Sequence, residues 1–131
     1  MKYIVCVDND FGISFGGRRL SRDKRIVEDI IKMTEEGGLS VSPYTASLFP
    51  YDKMTVCGSF DIIPDEYVFS ELDVPNITDK TDGVVVYCFN RDYPHDVKFE
   101  FSPEKLGFTL TEQTEFVGTS HPRITKTVYT R

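Results

Sequence analysis

A chain of 131 residues has the length of one domain, and residues 1–131 are read as a single unit. Hydrophobic residues make up 40% and charged residues 27%, the makeup of a folded globular protein, which excludes a disordered, collagenous or disulfide-dense chain. The formal net charge of -6 works against nucleic acid and anionic membrane surfaces as partners and leaves a small molecule or another protein.

Residues 3–7, YIVCV, form a short apolar run rich in β-branched side chains, the pattern of a buried strand, stopped by Asp8, Asn9 and Asp10. Residues 8–20 carry Gly12, Gly16 and Gly17 and read as a long loop, a feature often functional in a compact domain. Ser21 is the expected N-cap of a helix over about 22–36. Ile26, Val27, Ile30, Ile31 and Met33 fall on one helical face, with Gly37 and Gly38 as the stop. The basic run Arg18, Arg19, Arg22, Lys24 and Arg25 is broken by Asp23 and reads as a solvated helix start. A short strand over 39–42, a short helix over 43–49 ended by Pro50, and strands over 53–57 and 66–69 follow. Residues 71–82 are polar and turn-rich. GVVVYCF, 83–89, is the most apolar run and reads as a central strand. Residues 108–116 and 124–129 alternate as a closing antiparallel pair. The order predicts an α/β fold with a mixed sheet, few helices and a C-terminal antiparallel hairpin.

Cys6, Cys57 and Cys88 are far apart and form no CxxC pair, so they read as buried free thiols of a cytoplasmic protein. No metal-ligand pattern stands out, and no apolar stretch has the length of a membrane span or a signal peptide. His95 and His121 lie beside prolines and read as surface histidines. Asp10-Phe11-Gly12 spells a kinase magnesium motif without the rest of a kinase.

One family matches the order of motifs. Val5-Cys6-Val7-Asp8 is followed by Gly12-Ile13-Ser14, Gly16-Gly17, Arg19-Leu20-Ser21 and the helix; after it comes Val41-Ser42-Pro43-Tyr44-Thr45. The end has Asp96-Val97-Lys98-Phe99, Lys105-Leu106-Gly107-Phe108 and Val128-Tyr129-Thr130-Arg131. This succession, over about 1–50 and 83–131, resembles dihydrofolate reductase. The resemblance implies a pterin pocket lined by Ile4, Cys6, Ile26, Ile30 and Phe49. It also implies an NADPH site touching Ile13, Gly17 and Thr45, with the Gly12–Gly17 loop over the nicotinamide.

The chain departs from that family where its chemistry resides. The family's pocket acid serves protonation of the pterin, and ungapped counting puts Ile26 in its place. Asp29 is the candidate acid if the helix is shifted by three residues; otherwise it is a solvated carboxylate paired with Arg25. The Gly-Arg that helps hold cofactor phosphate is here Ser42-Pro43, and the later Gly-Gly turn has only Val56-Cys57-Gly58-Ser59 as a distant counterpart. The expectation is therefore a divergent dihydrofolate-reductase-like protein without the usual catalytic acid and phosphate motifs, with a binding role. The alternative is an NADPH-dependent reductase of dihydrofolate or a related small molecule.

Overall fold

The computed structural model describes residues 1–131. In chain order the strands and helices are β1 (Lys2–Val7), β2 (Gly12–Phe15), β3 (Arg18–Arg19), α1 (Lys24–Met33), β4 (Leu39–Val41), α2 (Pro43–Ala46), β5 (Thr55–Val56), β6 (Tyr67–Phe69), β7 (Gly83–Cys88), β8 (Val97–Lys98), β9 (Thr109–Phe116) and β10 (Ile124–Thr130), with one 3₁₀ turn at Tyr51–Lys53. Seven strands form one mixed sheet in the order β5-β4-β6-β1-β7-β10-β9. The pairs β5–β4, β4–β6, β6–β1 and β1–β7 are parallel, while β7–β10 and β10–β9 are antiparallel.

The two most apolar runs of the sequence, β1 and β7, are neighbours at the centre of the sheet. A central parallel strand is covered on both faces, so both of its side-chain sets must be apolar. Alternation divides them. Ile4, Val85 and Tyr87 pack with Ile26 and Ile30 of α1 in one core. Val5, Val7, Val84 and Val86 pack with Ile13, Phe99 and Phe108 in the other.

The predicted mixed sheet, α1 and the closing hairpin are all present, and several details differ. Residues 8–20 are not structureless: β2 pairs with β3 and with β8, making a second sheet of three strands that covers Val5 and Val7. Helix α1 is capped by Asp23, not Ser21, because the Asp23 carboxylate also reaches a distant loop that Ser21 does not. The helix closes at Thr34, whose hydroxyl bonds the Ile30 carbonyl at 2.8 Å. Gly38 then turns the chain at φ +82. Ser42 caps α2, with Pro43 at its first position.

Candidate functional site

The carboxyl ends of β1, β6 and β7 meet the start of α1, the place where open α/β sheets leave a crevice for ligands. Here the crevice is filled. Cys6, Ile26, Val27, Leu48, Phe69 and Phe89 close around a cavity of about 10 Å³, the room of about one water. Two carboxylates border it, Asp23 and Glu71, both buried.

Asp23 reaches the pocket from the N-cap of α1. Its Oδ1 accepts from the backbone N–H of Arg25 at 3.0 Å and of Thr119 at 2.8 Å. Its Oδ2 accepts from Ser120 N at 2.8 Å and from His121 Nδ1 at 2.9 Å. Four donors occupy the roughly four lone-pair directions of a carboxylate, and none is left for a ligand. Burial alone would raise this carboxyl's pKa. The bonds from Thr119, His121, Ser120 and Arg25 outweigh it and hold the pKa at about 2. Such a group does not carry a proton near neutrality and is unsuited to general acid work.

The donor loop is built to this bond. A Cβ on Gly118 would stand 2.4 Å from Asp23 Oδ2. His121 is buried rather than at the surface, because its ring stacks on Phe89 at 4.6 Å and its Nε2 meets the Tyr93 hydroxyl at 2.7 Å. The His121 ring thus bridges Asp23 through Nδ1 and Tyr93 through Nε2.

Glu71 follows β6 and is held by three donors. Arg19, from β3, donates Nε–H to one of its oxygens at 2.8 Å and Nη2–H to the other at 2.9 Å. The Thr45 hydroxyl adds a third bond at 2.8 Å. Tyr44 lies against the Arg19 guanidinium, 4.4 Å from ring centroid to Cζ. This Arg19–Glu71 strap ties the β2–β3 hairpin across the pocket. Arg19 is therefore no solvated helix start; it is an ion-pair partner of a buried acid.

The residues expected in the pocket are only partly brought together. Cys6 and Ile26 border the cavity, and burial, then the nearby Glu71 and Asp23 charges, push the Cys6 thiol well up. Ile4, Ile30 and Phe49 lie in the core beneath. Ile13 is buried in the core of the opposite face, and Gly17 is exposed in the β2–β3 turn at φ +73. Asp29 neither enters the cavity nor pairs with Arg25. It accepts from the Tyr87 hydroxyl at 2.5 Å and pairs with Lys126 Nζ at 2.9 Å. His95 is part-buried, held by the Tyr93 carbonyl at 2.9 Å and by Asp8 and Asp10 at 3.0 Å and 3.2 Å. Sequence reasoning missed Asp23, His121, Tyr93 and Glu71; only Asp23 had a local signal, an N-cap residue type just before the apolar helix face.

A second, open cleft lies past the ends of β4, β5 and β6, on the side of the sheet that carries Tyr3. It holds about 400 Å³ and includes Ser42, Ser70 and the Cys57-Gly58-Ser59 stretch. Its lining has no Lys, Arg or His, and it contains Asp61 and Asp73. A dinucleotide brings a diphosphate, which needs cations or free backbone N–H groups. The Ser42 side chain is engaged with Thr45 N at 3.3 Å, and the turn after β6 carries Ser70 and Glu71 instead of glycines. The cleft therefore offers a diphosphate no cation and sets Asp61 and Asp73 beside it.

No protein-family model matches the chain, and no curated protein matches it by sequence. Among solved structures it is similar to dihydrofolate reductase from Enterococcus faecalis complexed with NADP(H) and RAB-propyl. The TM-score is 0.68, over 99% of this chain and 95% of that chain, at 11% identity. The chain thus has a dihydrofolate-reductase-like fold. At that identity the likeness speaks to the fold alone.

Proposed function

We propose that this chain is a non-catalytic protein on the dihydrofolate-reductase-like fold, acting by binding a partner rather than by reduction. The observation that carries this reading is the small size of the pocket beneath α1. Its cavity has room for about one water, Asp23 is saturated by four protein donors, and Glu71 is tied by three. A flat heterocycle needs more space than this cavity has, and Asp23 has no acceptor position left for it. The three free thiols accord with a reducing cytoplasm.

The second reading, an NADPH-dependent reductase of dihydrofolate or a related pterin-like molecule, draws on the fold likeness and on a carboxylate, Asp23, at the pocket wall. Thermal unfolding with saturating NADPH, with and without an antifolate, separates the two. A ligand at about 100 times its Kd adds about 2.7 kcal/mol, a shift of several degrees. The proposed reading expects no shift with either compound. A shift with NADPH overturns it.

A further inference from the structure

The open cleft past β4, β5 and β6 does not end at Asp73. It shares Tyr3, Phe60, Asp61 and Asn76 with a neighbouring depression of about 690 Å³ that runs past Ile62 and Ile63 to Asp79 and Lys80. Together they make one groove along the part of this face that the β2–β3–β8 sheet leaves uncovered. Apolar side chains are set among polar ones along it: Tyr3 and Ile63 in the floor and walls, Phe60 part-exposed, and Ile62 and Val74 exposed at 85% and 46%. Its charge is acidic. Asp61, Asp73 and Asp79 enter no ion pair, and Lys80 is the one lysine or arginine in the groove. The Met1 amino group, at the far end, is taken by Asp82 at 2.5 Å.

We infer that this groove docks an extended peptide segment of a partner protein in which lysine or arginine stands beside aromatic or aliphatic residues. The inference rests on the non-catalytic reading above and names the partner's chemistry. Three considerations select that occupant. Unpaired carboxylates around apolar side chains complement a cation on an apolar stem, as lysine and arginine are. The part-exposed Phe60 ring and the exposed Ile62 and Val74 side chains offer apolar contacts to the stem of a cation or to an aromatic anchor. Two joined depressions of about 400 and 690 Å³ suit an elongated ligand better than a compact one. A second copy of this acidic chain is disfavoured by like charge.

The test is fluorescence anisotropy with labelled peptides in which lysine or arginine alternates with phenylalanine or leucine; glutamate-for-lysine peptides serve as controls. The intact chain is compared with an Asp61→Asn, Asp73→Asn, Asp79→Asn triple variant, whose changes are isosteric and exposed and whose fold is checked by circular dichroism. Binding by the intact chain should weaken about tenfold or more in the triple variant and fall as salt rises. No binding, or equal binding by the variant, overturns the inference. Spermidine binding as tightly as the best peptide also overturns it, in favour of a free small cation. NADPH is titrated in parallel: its binding refutes the non-catalytic reading, whereas loss of peptide binding alone refutes only the groove's occupant.

Discussion

The two clefts of this molecule use carboxylates in opposite ways. In the pocket beneath α1, Asp23 and Glu71 are buried and accept four and three hydrogen bonds from donors of the same chain. In the groove on the Tyr3 side, Asp61, Asp73 and Asp79 are exposed and unpaired. A buried charge is tolerable only when it is well hydrogen-bonded, so the first arrangement stabilises a fold and leaves little for a ligand. A solvated charge beside apolar side chains costs the fold little and keeps its interactions for a partner. The pocket beneath α1 is a structural joint, and the proposed recognition lies on the other face.

The largest expected effect comes from breaking the joint. Asp23→Ala removes the cap of α1 and leaves Thr119 N, Ser120 N and His121 Nδ1 without their acceptor. The loss should be about 3–5 kcal/mol, a fall of roughly 10–20 °C in Tm, read by thermal or urea unfolding. The acid limb of stability supplies a second readout. The folded carboxyl titrates at about 2 against an ordinary 3.8. A lowered folded pKa contributes stability that is complete above about pH 4 and is lost as pH falls through about 2, on the order of 2 kcal/mol. The variant should lack that limb. An unchanged acid limb would remove Asp23 from the account.

Glu71→Ala is the next step down. It strips Arg19 and Thr45 of a shared partner and takes away the strap over the pocket. Arg19 can turn to solvent, so the cost should be about 1–3 kcal/mol, below that of Asp23. The pocket should open, with increased binding of a hydrophobic dye in the native baseline. A folded variant that binds dye no better than the parent would show that packing by Phe69 and Phe89, not the strap, closes the pocket.

These sites explain what the sequence could and could not reveal. The central strands were legible because β1 and β7 are continuous apolar runs; the hairpin was found where expected, although β9 is exposed along nearly its whole length instead of alternating. The family-like order of short motifs led to the fold. What stayed hidden depends on long-range pairing: Asp23 meets His121 across 98 positions, and Arg19 meets Glu71 across 52. Ser21 and Asp23 are comparable N-caps by type, and only the distant loop at Gly118–His121 decides between them. His121 looked like a loop histidine because nothing local announces a Phe89 to stack on.

The smallest expected effect tests the sequence's own candidate acid. Asp29 lies on α1 one turn beyond Ile26, yet it faces β7 and β10, where it receives the Tyr87 hydroxyl and Lys126. Desolvation, then the Asp29 charge and hydrogen bond, push the Tyr87 hydroxyl far up, so it stays a neutral donor to this carboxylate across the accessible range. The three groups latch the helix to the sheet. Asp29 is about a third exposed, so solvent replaces part of what a substitution removes. Asp29→Asn keeps an acceptor for Tyr87 and should cost less than about 1 kcal/mol; Asp29→Ala should cost about 1–2 kcal/mol through the Tyr87 hydroxyl. Neither should change peptide binding in the groove, which lies on the other side of the sheet. A loss of binding in Asp29→Asn with stability intact would mean that the α1 face takes part in recognition, and the division between a structural face and a binding face would fail.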